Sequence, residues 1–324
     1  MYTLEELQIK VKQYFSEENF IKTPRGLYEP IDYTLALGGK RIRPIMLLAA
    51  TDMFGGNIEE SRYAAIAIET FHNFTLLHDD LMDKSPVRRG KPTVYRKWDE
   101  NTAILSGDAM HILAWHYLLK QKHNNLYHIL RTFEKTSLEI HEGQQYDMDF
   151  ENRNDVTIAE YMNMIRLKTA VLLAAALKIG ALYTDATTID INLLYEFGIS
   201  LGLAFQLRDD LLDVYGDITT FGKQTGTDIK DNKKTYLMLK ALEKADLKTK
   251  AQLIQLFSTK PENPNVKITE VTEIYDKLEI RTDVENEISK LHENAIDKLN
   301  CINRPQQTKK CLQDLAQKLL EREV

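Results

Sequence analysis

No proline occurs between Pro92 and Pro261, and no glycine follows Gly226. Proline removes a backbone N–H and clashes with the preceding turn, and glycine raises the entropic cost of ordering, so a stretch this long without proline favours uninterrupted helices. Apolar residues recur at helical spacing along the chain, whereas strand-like alternation is hard to find. The spacing predicts an all-α fold with helices over 3–20, 30–37, 43–54, 59–83, 99–120, 125–149, 157–179, 188–216, 232–259, 267–280 and 282–322. Pro261-Glu262-Asn263-Pro264 reads as a turn between helices rather than a linker. Residues 1–324 are therefore expected to form a single domain, a helical bundle around a central cavity.

Composition narrows the partners. A formal net charge of −6 over 324 residues, with no basic tail or stripe, argues against nucleic acid and against an anionic membrane. No run reaches the ~18 apolar residues of a membrane span, and Met1 to Lys40 has no apolar core suited to a signal peptide. Cys301 and Cys311 lack metal-ligand spacing and fit reduced thiols, so a cytoplasmic location is expected.

Two acidic clusters stand out. His78-Asp79-Asp80-Leu81-Met82-Asp83 ends a mostly apolar run, Ala64 to Leu77, and Phe205-Gln206-Leu207-Arg208-Asp209-Asp210-Leu211-Leu212-Asp213 repeats its spacing. Residues four apart stack on one helix face, so Asp79 lies over Asp83, and Asp209 over Asp213. Burying such carboxylates without compensation would cost several kcal/mol, and a hard cation with oxygen ligands, such as Mg²⁺, removes that cost. A solvated acidic helix end is the plain alternative. Against it stand the second copy and the adjacent Arg88-Arg89, which suit bidentate contacts to phosphate.

Other cations fall at suggestive places. In Leu37-Gly38-Gly39-Lys40-Arg41-Ile42-Arg43-Pro44 the glycines break one helix and Pro44 suits the first turn of the next. Cations at a helix start are disfavoured by the macrodipole unless an anion binds there; an exposed basic turn is the alternative. His72 lies two turns before Asp79, on the same face. Lys168-Thr169 opens an apolar run, and a Gly-punctuated polar loop, Phe221 to Lys234, follows the second cluster with Lys223 and Lys233.

Taken in order, Gly38 to Pro44, the first D-D-x-x-D with Arg88 to Pro92, Gly107-Asp108, Lys168-Thr169, Phe205-Gln206 with the second D-D-x-x-D, and Gly226 to Lys233 resemble the trans-isoprenyl diphosphate synthases, or polyprenyl synthetases. That resemblance implies an isoprenoid-synthase bundle, usually a homodimer, with the two motifs facing across a cavity. It implies three Mg²⁺ per site, two on Asp79 and Asp83 and a third on Asp209, with Asp80, Asp210 and Asp213 supporting them directly or through water. Arg88, Lys168, Lys223 and Lys233 would hold an allylic diphosphate, and Lys40, Arg43, His72 and Arg89 isopentenyl diphosphate. Thr169 and Gln206 would lie near the allylic carbon. Lys223 falls in a loop one residue longer than in some members of the family.

Product length should follow from the floor of the cavity. Thr75 is one turn above Asp79, about 6 Å away, and Phe71 is one turn further, with Phe74 beside it. This set suggests a pocket that stops at a short chain, and the resemblance, in which an aromatic residue at the place of Phe74 and an uninterrupted first motif go with short products, implies farnesyl or geranylgeranyl diphosphate. Two rival readings are a class I terpene cyclase and a non-catalytic subunit of a heteromeric synthase. The former usually carries an Asn/Asp-Ser/Thr-Glu second motif, which is absent, and the latter would be expected to lose site residues that are all present.

Overall fold

The computed structural model describes residues 1–216, 225–258 and 263–321. In chain order the elements are α1 (Leu4–Ser16), α2 (Arg25–Ala36), α3 (Ile42–Met53), α4 (Arg62–Met82), β1 (Val87–Arg88), β2 (Lys91–Pro92), α5 (Val94–Lys97), α6 (Glu100–Leu119), α7 (Leu126–Glu151) and α8 (Ile158–Ile165). A π-helical turn, Arg166–Ala170, leads into α9 (Val171–Leu182) and α10 (Thr188–Tyr215). Then come α11 (Thr227–Lys230), α12 (Tyr236–Lys244), α13 (Leu247–Ser258), α14 (Pro264–Lys277), α15 (Ile280–Cys301) and α16 (Gln306–Leu320). The fold is all-α, as the sequence predicts.

Several helix ends carry their own signals. Thr3 and Thr157 cap α1 and α8 in reciprocal capping boxes with Glu6 and Glu160, which satisfies backbone N–H groups that a helix start leaves open. Asp99 caps α6 through the N–H of Thr102 at 2.8 Å. Three predicted spans are corrected. The 232–259 span divides, because Asp246 accepts the N–H of Thr249 at 2.7 Å and begins α13 as a cap. The 282–322 span breaks before Pro305, which disfavours helical backbone at the residue it follows. Finally, α2 starts at Arg25, a turn earlier than predicted, and carries Pro30 inside it.

The chain divides into two compact units: Met1–Phe133 with Ala175–Ile191 and Arg304–Leu312, and Glu134–Ala174 with Asn192–Asn303 and Gln313–Val324. In the first, α4 is buried around most of its circumference, from Ala64 to Leu77, and packs chiefly on α6. That approach depends on Gly107, where an added Cβ would lie 2.2 Å from His78 Nε2. The core of the second includes Tyr161, Met164, Leu207, Leu211, Leu237, Val271 and Val284. Among the described residues, α10 is long and apolar enough to cross a membrane by length and composition, although polar residues interrupt its apolar run. Half of that window is buried within the protein, as in a core helix, and α10 ends in the second acidic motif.

Candidate active site

The first acidic cluster closes α4. Asp79 is partly buried, Asp80 is 5% exposed, and Asp83 is the exposed C-cap residue, its N–H donating to Asp79 O at 2.8 Å. Lys84, at φ 52°, then turns the chain into the β1–β2 hairpin, in which Val87 pairs with Pro92 and Arg88 with Lys91. Both loop residues have positive φ, Arg89 at 52° and Gly90 at 74°, the geometry that a two-residue hairpin of this twist requires. A hairpin this short carries too little alternation to be predicted. It folds Arg88 back onto the helix, where Nε donates to Asp80 Oδ2 at 2.7 Å.

Arg89 Nη1 donates to the carbonyl of Gly38. Gly39, at φ 125°, leaves room for the guanidinium: a Cβ there would sit 2.6 Å from Arg89 Cζ. Arg43 Nη1 lies 3.0 Å from His72 Nε2. Since guanidinium can only donate, His72 accepts at Nε2 and its proton sits on Nδ1. Burial, then the Arg43, Arg89 and Arg88 charges, hold the His72 pKa well below the usual imidazole range, so the ring is neutral. Lys40 is exposed at the turn. Arg41 turns away, over the Phe15 ring at 4.3 Å, with Nη2 donating to Leu35 O.

Glu69 is not among the residues predicted for the site, although a carboxylate in the apolar run before His72 is a readable signal. It is 2% exposed, and Asn73 Nδ2 donates to its Oε1 at 3.2 Å. Burial raises its pKa, against the pull of Arg43, the Asn73 bond, Arg41 and Arg89.

The predicted floor residues form an aromatic nest. Phe71 and Phe74 are buried with ring centroids 5.4 Å apart. His111 of α6, not anticipated, stacks on Phe74 at 5.0 Å and meets Phe71 edge-on at 5.3 Å. Thr75 keeps its hydroxyl on its own helix, donating to His72 O at 2.8 Å.

The second cluster, near the end of α10, repeats the first in one respect. Asp209 is partly buried and Asp210 is 5% exposed and held by the protein: Gln206 Nε2 donates to Oδ1 at 3.0 Å, and the Tyr161 hydroxyl to Oδ2. Burial, with the Asp209 and Asp213 charges adding to it, raises the Asp210 pKa against these hydrogen bonds. Asp213 differs from Asp83. It is buried, and it caps the turn into α11: Oδ1 accepts from Thr227 Oγ1 at 2.5 Å and Oδ2 from the Asp228 N–H at 3.0 Å. Asp228 is partly buried, and its pKa is driven up by desolvation and then by the Asp213 and Asp210 charges.

Thr169 Oγ1 donates to Gln206 Oε1 at 2.9 Å, which leaves the Thr169 oxygen lone pairs available. Lys168 Nζ pairs with Asp147 Oδ2 at 2.6 Å, and Lys233 Nζ approaches the same oxygen at 3.6 Å. Asp147 was not foreseen, because nothing in a mid-helix aspartate of α7 marks which lysines tertiary packing brings to it. Lys223 lies outside the described residues. Among the described residues, no three Asp, Glu, His or Cys side chains converge closely enough to hold a metal ion by themselves. The buried, mutually repelling carboxylates of the second cluster nonetheless suit a hard cation whose remaining ligands come from substrate oxygens and water.

An all-α fold carrying two D-D-x-x-D helix ends, each with its second aspartate buried and hydrogen-bonded, defines a class of diphosphate-handling enzymes. Comparison with known proteins agrees. A family model for polyprenyl synthetase matches residues 24–276. A geranylgeranyl diphosphate synthase of Saccharolobus solfataricus is 41% identical over 251 residues, 76% of each chain. A crystal structure of a geranylgeranyl pyrophosphate synthase aligns over 100% of both chains with a TM-score of 0.95 and 40% identity. Another, from Corynebacterium glutamicum and complexed with isoprenyl diphosphate and magnesium, aligns over 99% of this chain and 98% of its own with a TM-score of 0.87 and 27% identity. This chain belongs to the polyprenyl synthetase family.

Proposed function

We propose that this short-chain trans-prenyltransferase joins isopentenyl diphosphate to dimethylallyl, geranyl or farnesyl diphosphate, and that its end product is geranylgeranyl diphosphate, with farnesyl diphosphate the shorter alternative. The observation that carries this reading is the parallel between motifs: Arg88 holds the buried Asp80, and Tyr161 with Gln206 holds the buried Asp210, while the aspartate before each is more exposed. Relatives bearing the geranylgeranyl name support the product length. So do the buried Phe71 and Phe74 behind Thr75. The terpene cyclase and non-catalytic-subunit readings are not favoured, because the second motif is D-D-x-x-D and the basic set for isopentenyl diphosphate is complete.

The roles follow from residue chemistry. Asp79, Asp83 and Asp209 would hold three Mg²⁺, with Asp80, Asp210 and Asp213 behind them, and the bound ions would neutralise the leaving diphosphate as the allylic C–O bond ionises. Arg88, Lys168, Lys223 and Lys233 add fixed positive charge for the same group. Lys168 and Lys233 already share Asp147, so they are assembled before an anion arrives. The Thr169 oxygen, backed by Gln206, faces developing positive charge with lone pairs. Lys40, Arg43, neutral His72 and Arg89 orient isopentenyl diphosphate, whose double bond attacks the allylic carbon. The allylic C–O bond breaks to release diphosphate, a new C–C bond forms at the allylic carbon, and a proton is lost from the adduct to the released diphosphate.

We further assign the enzyme to the cytoplasm, where Cys301 and Cys311 stay reduced, and to a homodimer. Support for the dimer comes from α6, where Leu105, Ile112 and Leu119 recur two turns apart and are 60%, 66% and 58% exposed. The test of function is direct. The purified protein with Mg²⁺, isopentenyl diphosphate and each allylic primer should give a C20 product, sized by chromatography after dephosphorylation. No condensation with any primer would overturn the reading.

A further inference from the structure

Lys267 is 2% exposed and sits in the opening turns of α14. Both circumstances oppose it. A buried ammonium is costly to desolvate, and the N-terminal end of a helix disfavours positive charge. What it gains is specific: Nζ donates to Asn232 Oδ1 and lies 4.9 Å from the centre of the Phe257 ring. Asn232 has left-handed backbone at φ 62°, and the next residue is Lys233, whose N–H returns to Asp228 O at 2.9 Å. The neighbouring side chain on α14, Ile268, covers the other end of the same segment, since a Cβ on Gly226 would meet Ile268 Cδ1 at 2.7 Å. One helical turn thus touches both ends of the segment from Gly226 to Lys233. That segment carries Asp228, and it brings Lys233 to Asp147.

Resting on the function proposed above, we infer that Lys267 is a positioning residue: by fixing Asn232 it sets where Lys233 stands for the allylic diphosphate. The consequence is selective. Loss of the Lys267–Asn232 bond should weaken the hold on the allylic substrate and leave isopentenyl diphosphate, bound by residues elsewhere in the chain, unaffected.

The test compares the full-length protein with Lys267→Met, Asn232→Gly and the double variant. Met keeps most of the buried volume, and Gly keeps the positive φ. KM for farnesyl or geranyl diphosphate should rise about tenfold in each single variant, a loss of about 1.4 kcal/mol in binding, with KM for isopentenyl diphosphate unchanged. The double variant should be no worse than the singles, because both remove one interaction. Calorimetric binding of the unreactive analogue farnesyl thiolodiphosphate with Mg²⁺ gives the same comparison without turnover. Equal binding in wild type and Asn232→Gly overturns the proposal, as does an equal rise in both KM values. Failure of wild type to bind the analogue or turn over would instead strike at the proposed function.

Discussion

Arg88 reaches back from the hairpin to the helix before it, donating from Nε to Asp80 Oδ2 at 2.7 Å, with the carboxylate side chain 6% exposed. Truncating one member of a buried hydrogen-bonded charge pair costs on the order of 2–5 kcal/mol. Arg88→Ala is therefore expected to lower kcat/KM at least a hundredfold. Arg88→Lys should recover only part, because a point charge lacks the planar fork. Steady-state kinetics with both variants checks this; equal activity of the Ala variant and wild type would remove Arg88 from the site.

Phe74 lies between Phe71, His78 and His111, with centroids at 5.4, 4.9 and 5.0 Å. Phe74→Ala opens this nest and is expected to shift products beyond C20, at a stability cost of about 3–5 kcal/mol. Product chromatography alongside thermal denaturation separates the two effects. An unchanged product distribution from folded protein would mean the floor lies elsewhere.

Gly143 of α7 permits a close approach to the π-helical turn. A Cβ there would stand 2.4 Å from Lys168 N and 2.8 Å from Leu167 C, and backbone atoms cannot swing aside as a side chain can. Gly143→Ala is expected to cost about 1–3 kcal/mol and, by displacing Lys168 and Thr169, to depress turnover further than the stability loss explains. Gly26→Ala, where an added Cβ meets nothing within 4 Å, is the control and should leave both intact.

Asp147 links stability to pH. Burial would raise its pKa, but the Lys168 and Lys233 charges outweigh it and hold the carboxyl below its ordinary value. A depressed folded value means that the contribution is present above the unfolded pKa, about 3.9, and is lost as pH falls through the folded one. Asp147→Asn should therefore be less stable than wild type at pH 7 by about 1–3 kcal/mol. The two denaturation curves should converge in acid below about pH 4. A gap that persists undiminished to pH 2 would show that the carboxylate charge is not responsible.

Much of this was legible in the sequence because it depends on local chemistry. The long α4 and α10, the acidic motifs at their ends and the Gly38-Gly39 break all follow from spacing and from proline and glycine. The division at Asp246 was readable in principle, since an N-cap aspartate was present, but no glycine or proline drew attention to it. Tyr161, Asp147 and His111 were not readable. Each lies within a helix and earns its place through a partner distant in sequence: Asp210, Lys168 and Phe74 respectively. Side-chain pairing of that kind is decided by packing, which periodicity does not encode.

The wide turn at Arg166–Ala170 has a geometric effect on everything near it. A π-helical turn takes up one residue more than an α-helical one, so it works as a phase shifter of about 100° in a single rod. Tyr161 before it can meet Asp210 while Lys168 and Thr169 within it reach Asp147 and Gln206, three bearings that one uniformly wound helix would not supply together. Deleting a single residue there would remove no functional group if Leu167 were chosen, yet would swing one set of contacts out of line with the other.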